Sequence, residues 1–196
     1  MSDFFLHLGL PILFLLVMLE SFGVPLPGET ALIAFAVLAS QGHYSIEAVI
    51  GLAIAGAIIG DNLGYWLIGR VGGRRLFTKW KWLERYTKRV LPDAEGLIAR
   101  HGSKMVFFGR FIAFLRYTAA WVAGLGKMEW WKFLLWNALG GIVWATGVGL
   151  IAYYAGQAAA DALRRDGVYA ALIIVVILII GWATVHYGKK RLEKEL

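Results

Sequence analysis

The sequence predicts an all-α polytopic membrane protein, an inverted repeat with two opposed re-entrant hairpins, about four spanning helices and a cytoplasmic amphipathic helix. Three observations carry this prediction. Hydrophobic residues make up 59% of the 196 and charged residues 17%, with a mean hydropathy of +0.64, a balance that suits lipid rather than water as the solvent. The apolar residues are gathered into long runs. The one extended polar stretch between those runs is strongly basic.

The first run, residues 4–19, follows Asp3 with no Lys or Arg before it, unlike a cleaved secretory signal with its basic start, so it is expected to stay with the mature protein. Residues 26–39 are apolar but too few to span, since a crossing helix needs roughly 20 residues. Pro25, Pro27 and Gly28 forbid a continuous helix into that run. A first re-entrant hairpin over about residues 21–43 follows. Residues 46–68 are long enough to cross.

Between Gly69 and Lys104 ten basic residues stand against Glu84, Asp93 and Glu95, and the positive-inside rule puts this loop, about residues 70–104, in the cytoplasm. Within it Leu76, Trp80, Leu83, Tyr86 and Val90 recur at helical spacing among Arg75, Lys79, Lys81, Arg85, Lys88 and Arg89, the pattern of a helix lying in the headgroup layer. Pro92 ends it, and Asp93 and Glu95 open a second short helix that Gly102 stops.

Residues 105–125 could cross by length but contain Arg110 and Arg116. Had they crossed, two further spans at residues 133–155 and 168–185, divided by a break near residues 157–167, would leave Lys189, Lys190, Arg191 and Lys194 outside, against the charge rule. A second re-entrant hairpin over about residues 105–126 keeps that basic tail in the cytoplasm. Each half is then a hairpin followed by a span, in opposite orientations, as in many secondary transporters. The whole chain, residues 1–196, counts as one integral membrane domain.

Several function classes are excluded. With no Cys there is no disulfide framework and no thiolate metal site. His7, His43, His101 and His186 are scattered without ligand spacing, so neither a metal nor a cofactor is expected. No Gly-rich phosphate loop, nucleophile elbow or paired helical histidines appear, so the chain does not read as an enzyme. The net charge of +7 comes from residues beside membrane segments, where anionic headgroups are nearer partners than nucleic acid.

Five ionisable residues fall within or beside apolar segments: Glu20, Glu29, Asp61, Arg110 and Arg116. Each costs roughly 2.5 to 3.5 kcal/mol at the centre of an inserted helix, and their signs are complementary, so they are expected to pair across the two hairpins. Arg110 and Arg116, with planar forks of donors, suit phosphate oxygens better than lysines would. Glu20 and Glu29 bracket the break at Pro25, Pro27 and Gly28 and, with Asp61, are the candidates for proton coupling. A permanent Arg salt bridge to Glu20 or Glu29 is the plainer alternative, and Glu29 also suits a helix N-terminus. Gly56, Gly60 and Gly64, four residues apart and followed by Tyr65, make a close-packing face around Asp61. Asn137, Gly140, Gly141 and Trp144 are expected to supply the facing groove, Asn137 as an interhelical hydrogen bonder. Trp130 and Trp131 beside Lys127 and Lys132 read as interfacial anchors.

Taken in order, Glu20 with Pro25-Leu26-Pro27-Gly28-Glu29, then Gly60-Asp61-Asn62-Leu63-Gly64-Tyr65-Trp66 continuing to Gly69-Arg70, then Gly109-Arg110-Phe111-Ile112 with Arg116, then Ala123-Gly124, Phe133, Asn137, Gly140 and Trp144 resemble the DedA family of bacterial inner-membrane proteins, over about residues 15–155. The resemblance implies opposed re-entrant hairpins shared with eukaryotic VTT-domain lipid scramblases. It also implies movement of a polyprenyl phosphate carrier lipid, notably undecaprenyl phosphate, and dependence on the proton-motive force. It maps an acidic pair onto Glu20 and Glu29 and essential arginines onto Arg110 and Arg116. The chain departs from the family pattern at Ala113 and Ala120, where prolines are common. The expected partners are the lipid and protons, with a homo-oligomer left open. The competing readings are a less selective phospholipid scramblase, a proton-coupled antiporter and a membrane lipid phosphatase.

Overall fold

The computed structural model describes residues 2–72 and 102–166, and every element in them is helical. The amphipathic helix expected in the basic loop, the span at residues 168–185 and the basic tail lie outside the described residues.

Helix α1 (Ser2–Phe22) carries Pro11 and ends at Gly23, whose φ of 110° is open to glycine at little cost. There the Gly23 N–H donates to the Glu20 carbonyl at 2.9 Å and the Val24 N–H to the Leu19 carbonyl at 3.0 Å, the paired bonds that close a helix C-terminus. The chain then runs without regular structure to Pro27, because neither Pro25 nor Pro27 has an N–H to donate. Helix α2 (Gly28–Ser40) starts immediately afterwards, with Glu29 in its first turn, where a carboxylate favours the helix dipole.

Helix α3 (Ile46–Leu63) is capped by the Ser45 side chain, which accepts from the Ala48 N–H at 3.1 Å. Its winding then widens into a π-helical stretch at Gly64–Gly72. Helices α4 (Lys104–Gly109) and α5 (Ala113–Leu125) are separated by Arg110, Phe111 and an extended Ile112. A turn with Lys127 at φ 53° leads into α6 (Trp130–Asp166), 37 residues long.

The helix breaks fall inside both segments expected to be hairpins. The C-terminal break does not fall where expected: α6 runs unbroken past Gln157 to Asp166. Polar residues there do not break the helix, because Ala158, Ala159, Ala160 and Ala162 are strong helix formers and no Gly or Pro interrupts them before Gly167.

The small residues of α3 let α1 lie against it: a Cβ on Gly56 would come within 2.8 Å of the Phe14 carbonyl, and one on Gly60 would land on that of Met18. Further along, Gly69 and Gly124 bring the π-helical stretch and α5 into backbone contact. Two buried clusters result. Leu13, Val17, Leu32, Val49, Ala53 and Trp144 belong to one, and Tyr65, Val106, Trp121 and Phe133 to the other. The outside is also apolar, with Ile12, Leu15, Ile59, Leu67, Leu135, Val143 and Ile151 exposed. An apolar exterior of that extent suits hydrocarbon and is a liability in water. Two described helices are long and apolar enough to cross a membrane, Ile46–Val71 and Trp130–Asp161.

Candidate functional site

All five ionisable residues singled out from the sequence converge between the two buried clusters. Arg116, in the first turn of α5, reaches both sides of the first helix break. Its Nη1 donates to Glu29 Oε2 at 2.6 Å and its Nη2 to Glu20 Oε1 at 2.9 Å. Gly28 makes this possible, because a Cβ there would land on the Glu20 carboxylate. Arg110, in the second break, pairs with Asp61 at 2.8 Å, and its Nη1 also donates to Asn137 Oδ1 at 2.8 Å. Ion pairs thus tie α5 to both sides of the first break and the second break to α3.

Arg110 keeps helical backbone angles at the end of α4, which aims its side chain, and the extended Ile112 redirects the chain into α5, which carries Arg116. Trp144 lies under both cations, 5.8 Å from the Arg110 guanidinium carbon and 5.5 Å from that of Arg116, close enough for the negative face of the indole to attract each. Gly141 lies alongside Arg110, where an added Cβ would stand at ordinary contact distance, 3.5 Å from Nη1.

A narrow cleft opens on this cluster, lined by Asp61, Arg110, Arg116 and Asn137 and walled by Val106, Ala119, Ala120 and Phe133. It has room for about one water molecule. An ion larger than water could enter here only if the ion pairs parted. Buried pairs of this kind are a poor source of net stability, because desolvating both charges offsets much of their attraction. They are well suited to being exchanged for another ion.

Tyr65 is not in the ionic cluster. It is fully buried, stacks on Phe133 with centroids 4.7 Å apart, and its hydroxyl donates to the Met128 carbonyl; it braces a wall of the cleft. Trp121 was missed by sequence reasoning. Its Nε1 donates to the Phe22 carbonyl at 3.0 Å and its ring fills the space beside Gly23 and Gly64, joining α5 to the first break and to the start of the π-helical stretch. The available signal was the pair of glycines flanking that ring, which lie far apart from each other and from Trp121 in sequence.

The sequence pattern of the VTT domain matches residues 26–158. An uncharacterized membrane protein of Synechocystis sp. is 36% identical over 182 residues, covering 91% of this chain and 83% of its own. One of Mycobacterium tuberculosis is 42% identical over 165 residues, covering 81% and 74%. Protein DedA of Escherichia coli is 31% identical over 133 residues, covering 67% of this chain and 58% of that protein. No solved structure matches significantly. With apolar helices long enough to cross a bilayer and relatives that are membrane proteins, this is a membrane protein, and the chain belongs to the VTT-domain family that includes DedA.

Proposed function

We propose that this protein is a transporter, a flippase for a polyprenyl phosphate carrier lipid, undecaprenyl phosphate foremost, coupled to protons and acting in the bacterial inner membrane. The observation that carries this reading is the bridge from Arg116 to Glu20 and Glu29 across one broken helix, beside Arg110 in the other break. In it, the two broken segments are re-entrant hairpins from opposite faces, their irregular backbone tolerable at bilayer depth because it faces a polar cleft.

The chemistry follows from the pairing. A phosphate monoester brings one to two negative charges and several acceptor oxygens, which guanidinium forks grip with parallel hydrogen bonds. Protons on Glu20, Glu29 or Asp61 remove the carboxylates that compete for those forks. The headgroup then replaces them while the isoprenoid tail stays in lipid, and proton release re-forms the pairs and expels it on the other side. No nucleophile or metal is required, which sets this reading apart from phosphate ester hydrolysis.

The test is translocation in proteoliposomes, with polyprenyl phosphate, phosphatidylglycerol and phosphatidylethanolamine each assayed with and without a proton gradient. Gradient-dependent movement confined to the polyprenyl phosphate is expected. Equal movement of all three without a gradient would favour a scramblase, and release of inorganic phosphate would favour an enzyme. Mass spectrometry of the lipid that copurifies tests the substrate class independently.

A further inference from the structure

The two arginines use their donors differently. Nη1 of Arg110 makes each of its contacts among the described residues, to Asp61 Oδ2 at 2.8 Å, to Asn137 Oδ1 at 2.8 Å and to the Asn137 carbonyl at 3.4 Å. Its Nε is buried and has no hydrogen-bond partner among the described residues. A buried N–H without an acceptor is costly and uncommon, and functional sites are where such groups collect. The Nε side is also one of the two edges by which a guanidinium grips an oxyanion with parallel bonds.

Arg116 shares a buried Nε that makes no hydrogen bond among the described residues, but neither of its terminal nitrogens is open, so no edge of its fork is idle as a whole. Both terminal nitrogens are held by carboxylates, and those carboxylates come from different helices, Glu20 at the end of α1 and Glu29 at the start of α2. It also lies nearer the surface: its side chain is 12% exposed and that of Glu29 44%, against 4% for Arg110. The charged and aromatic groups facing it are Glu20 from α1, Glu29 from α2, Asp61 from α3, neighbouring Arg110, and the Trp144 ring from α6.

We propose that the arginines divide the work: Arg110 offers an incoming phosphate the idle Nε edge of its fork, while Arg116 is the strap that holds the two broken segments together until its carboxylates let go. This rests on the transporter reading and gives it an order. The strap parts when its carboxylates are neutralised, the cleft widens toward Arg110, and Arg116 closes on the phosphate afterwards.

The test compares Arg110→Lys with Arg116→Lys, both of which keep the charge. Binding of farnesyl monophosphate in detergent micelles reports the anion site. Nitroxide pairs at Ile33→Cys on α2 and Phe108→Cys on α4, both exposed positions in a chain without Cys, report the strap by their separation at neutral and acidic pH. Arg110→Lys should weaken binding by about tenfold or more, because lysine has no second parallel donor, and leave the separation as in the wild type. Arg116→Lys should weaken binding by a smaller factor and widen the separation at neutral pH toward its value in acid. Glu29→Gln, which weakens the strap without replacing either arginine, should widen it likewise. Arg116→Lys losing as much affinity as Arg110→Lys, or Arg110→Lys alone widening the separation, would overturn the division of work. A wild type that binds no farnesyl monophosphate while its strap still opens in acid would instead overturn the phosphate reading and, with it, the role given to Arg110.

Discussion

Asp61→Asn and Glu29→Gln remove the same charge from the same network, yet their effects on stability should differ severalfold. Asp61 is buried and meets Arg110 at 2.8 Å, with no other carboxylate bonded to that guanidinium among the described residues. Neutralising it strands a buried cation, a change that typically costs about 3–5 kcal/mol. Asn137 keeps one hydrogen bond to Arg110, which places the expected loss near the lower end of that range. Glu29 is half-exposed, and without it Arg116 retains Glu20 at 2.9 Å, so solvent screening and the second partner hold the loss to about 1 kcal/mol or less. The assay is unfolding of purified protein in mixed micelles, followed by helical circular dichroism, with the double variant Asp61→Asn, Arg110→Gln as the control. Removing both partners eliminates the stranded charge and should recover part of the loss. Equal destabilisation by the two single substitutions, or a double variant no more stable than Asp61→Asn, would refute the assignment of Asp61 as the neutralising partner of Arg110.

Gly56→Ala should destabilise the fold by about 1–3 kcal/mol in the same assay, since its Cβ would press on the Phe14 backbone carbonyl; Gly51→Ala, with open space around it, should gain up to about 1 kcal/mol. Tyr65→Phe keeps the stack on Phe133 but removes the donor to the Met128 carbonyl, so a loss of about 1 kcal/mol is expected from the unfolding midpoint. Trp144→Phe and Trp144→Leu both disturb packing, but only Leu removes the aromatic face under the two guanidiniums; affinity for a phosphorylated lipid should therefore fall in the order Trp, Phe, Leu, by about two- to tenfold per step, and equal affinities for Phe and Leu would make the ring a packing residue only.

The readable parts of this molecule were those written locally. Pro25, Pro27 and Gly28 stop a helix whatever surrounds them, so the first break was legible. The second was placed by topology rather than chemistry, through the charge rule applied to Arg110, Arg116 and the basic tail. That the buried acids and arginines meet was legible from sign and burial cost. Which acid meets which arginine was not, because Arg116 lies 96 residues from Glu20 and 87 from Glu29 in sequence, and the register between such segments is set by packing. The π-helical winding after Leu63 has no sequence signature of its own; it coincides with the close contacts of Gly64 and Gly69 against α5. The C-terminal extension of α6 was misjudged because polarity was read as a break, where alanines carry the helix on regardless of polarity.

Charge balance supplies the remaining step, and it does so without reference to any relative. Three carboxylates face two guanidiniums in the buried network, an excess of one negative charge when all five are ionised. Adding a phosphate monoester to that network would raise the excess to two or three negative charges in a poorly solvated place, where uncompensated charge is strongly disfavoured. Each proton taken up offsets one of them and frees a guanidinium edge at the same moment. Anion binding and proton uptake are therefore thermodynamically linked in a site of this composition, and the linkage is reciprocal. On the transporter reading, a phosphorylated ligand should bind more tightly as pH falls at pH values above its own second ionisation at about 6, and its binding should draw protons from the buffer. A zwitterionic headgroup adds no net charge and carries no such requirement. Measuring ligand-induced proton uptake in weakly buffered micelles, with farnesyl monophosphate against a zwitterionic phospholipid, separates the two: uptake with both ligands or with neither would mean that the acidic residues do not respond to the anion.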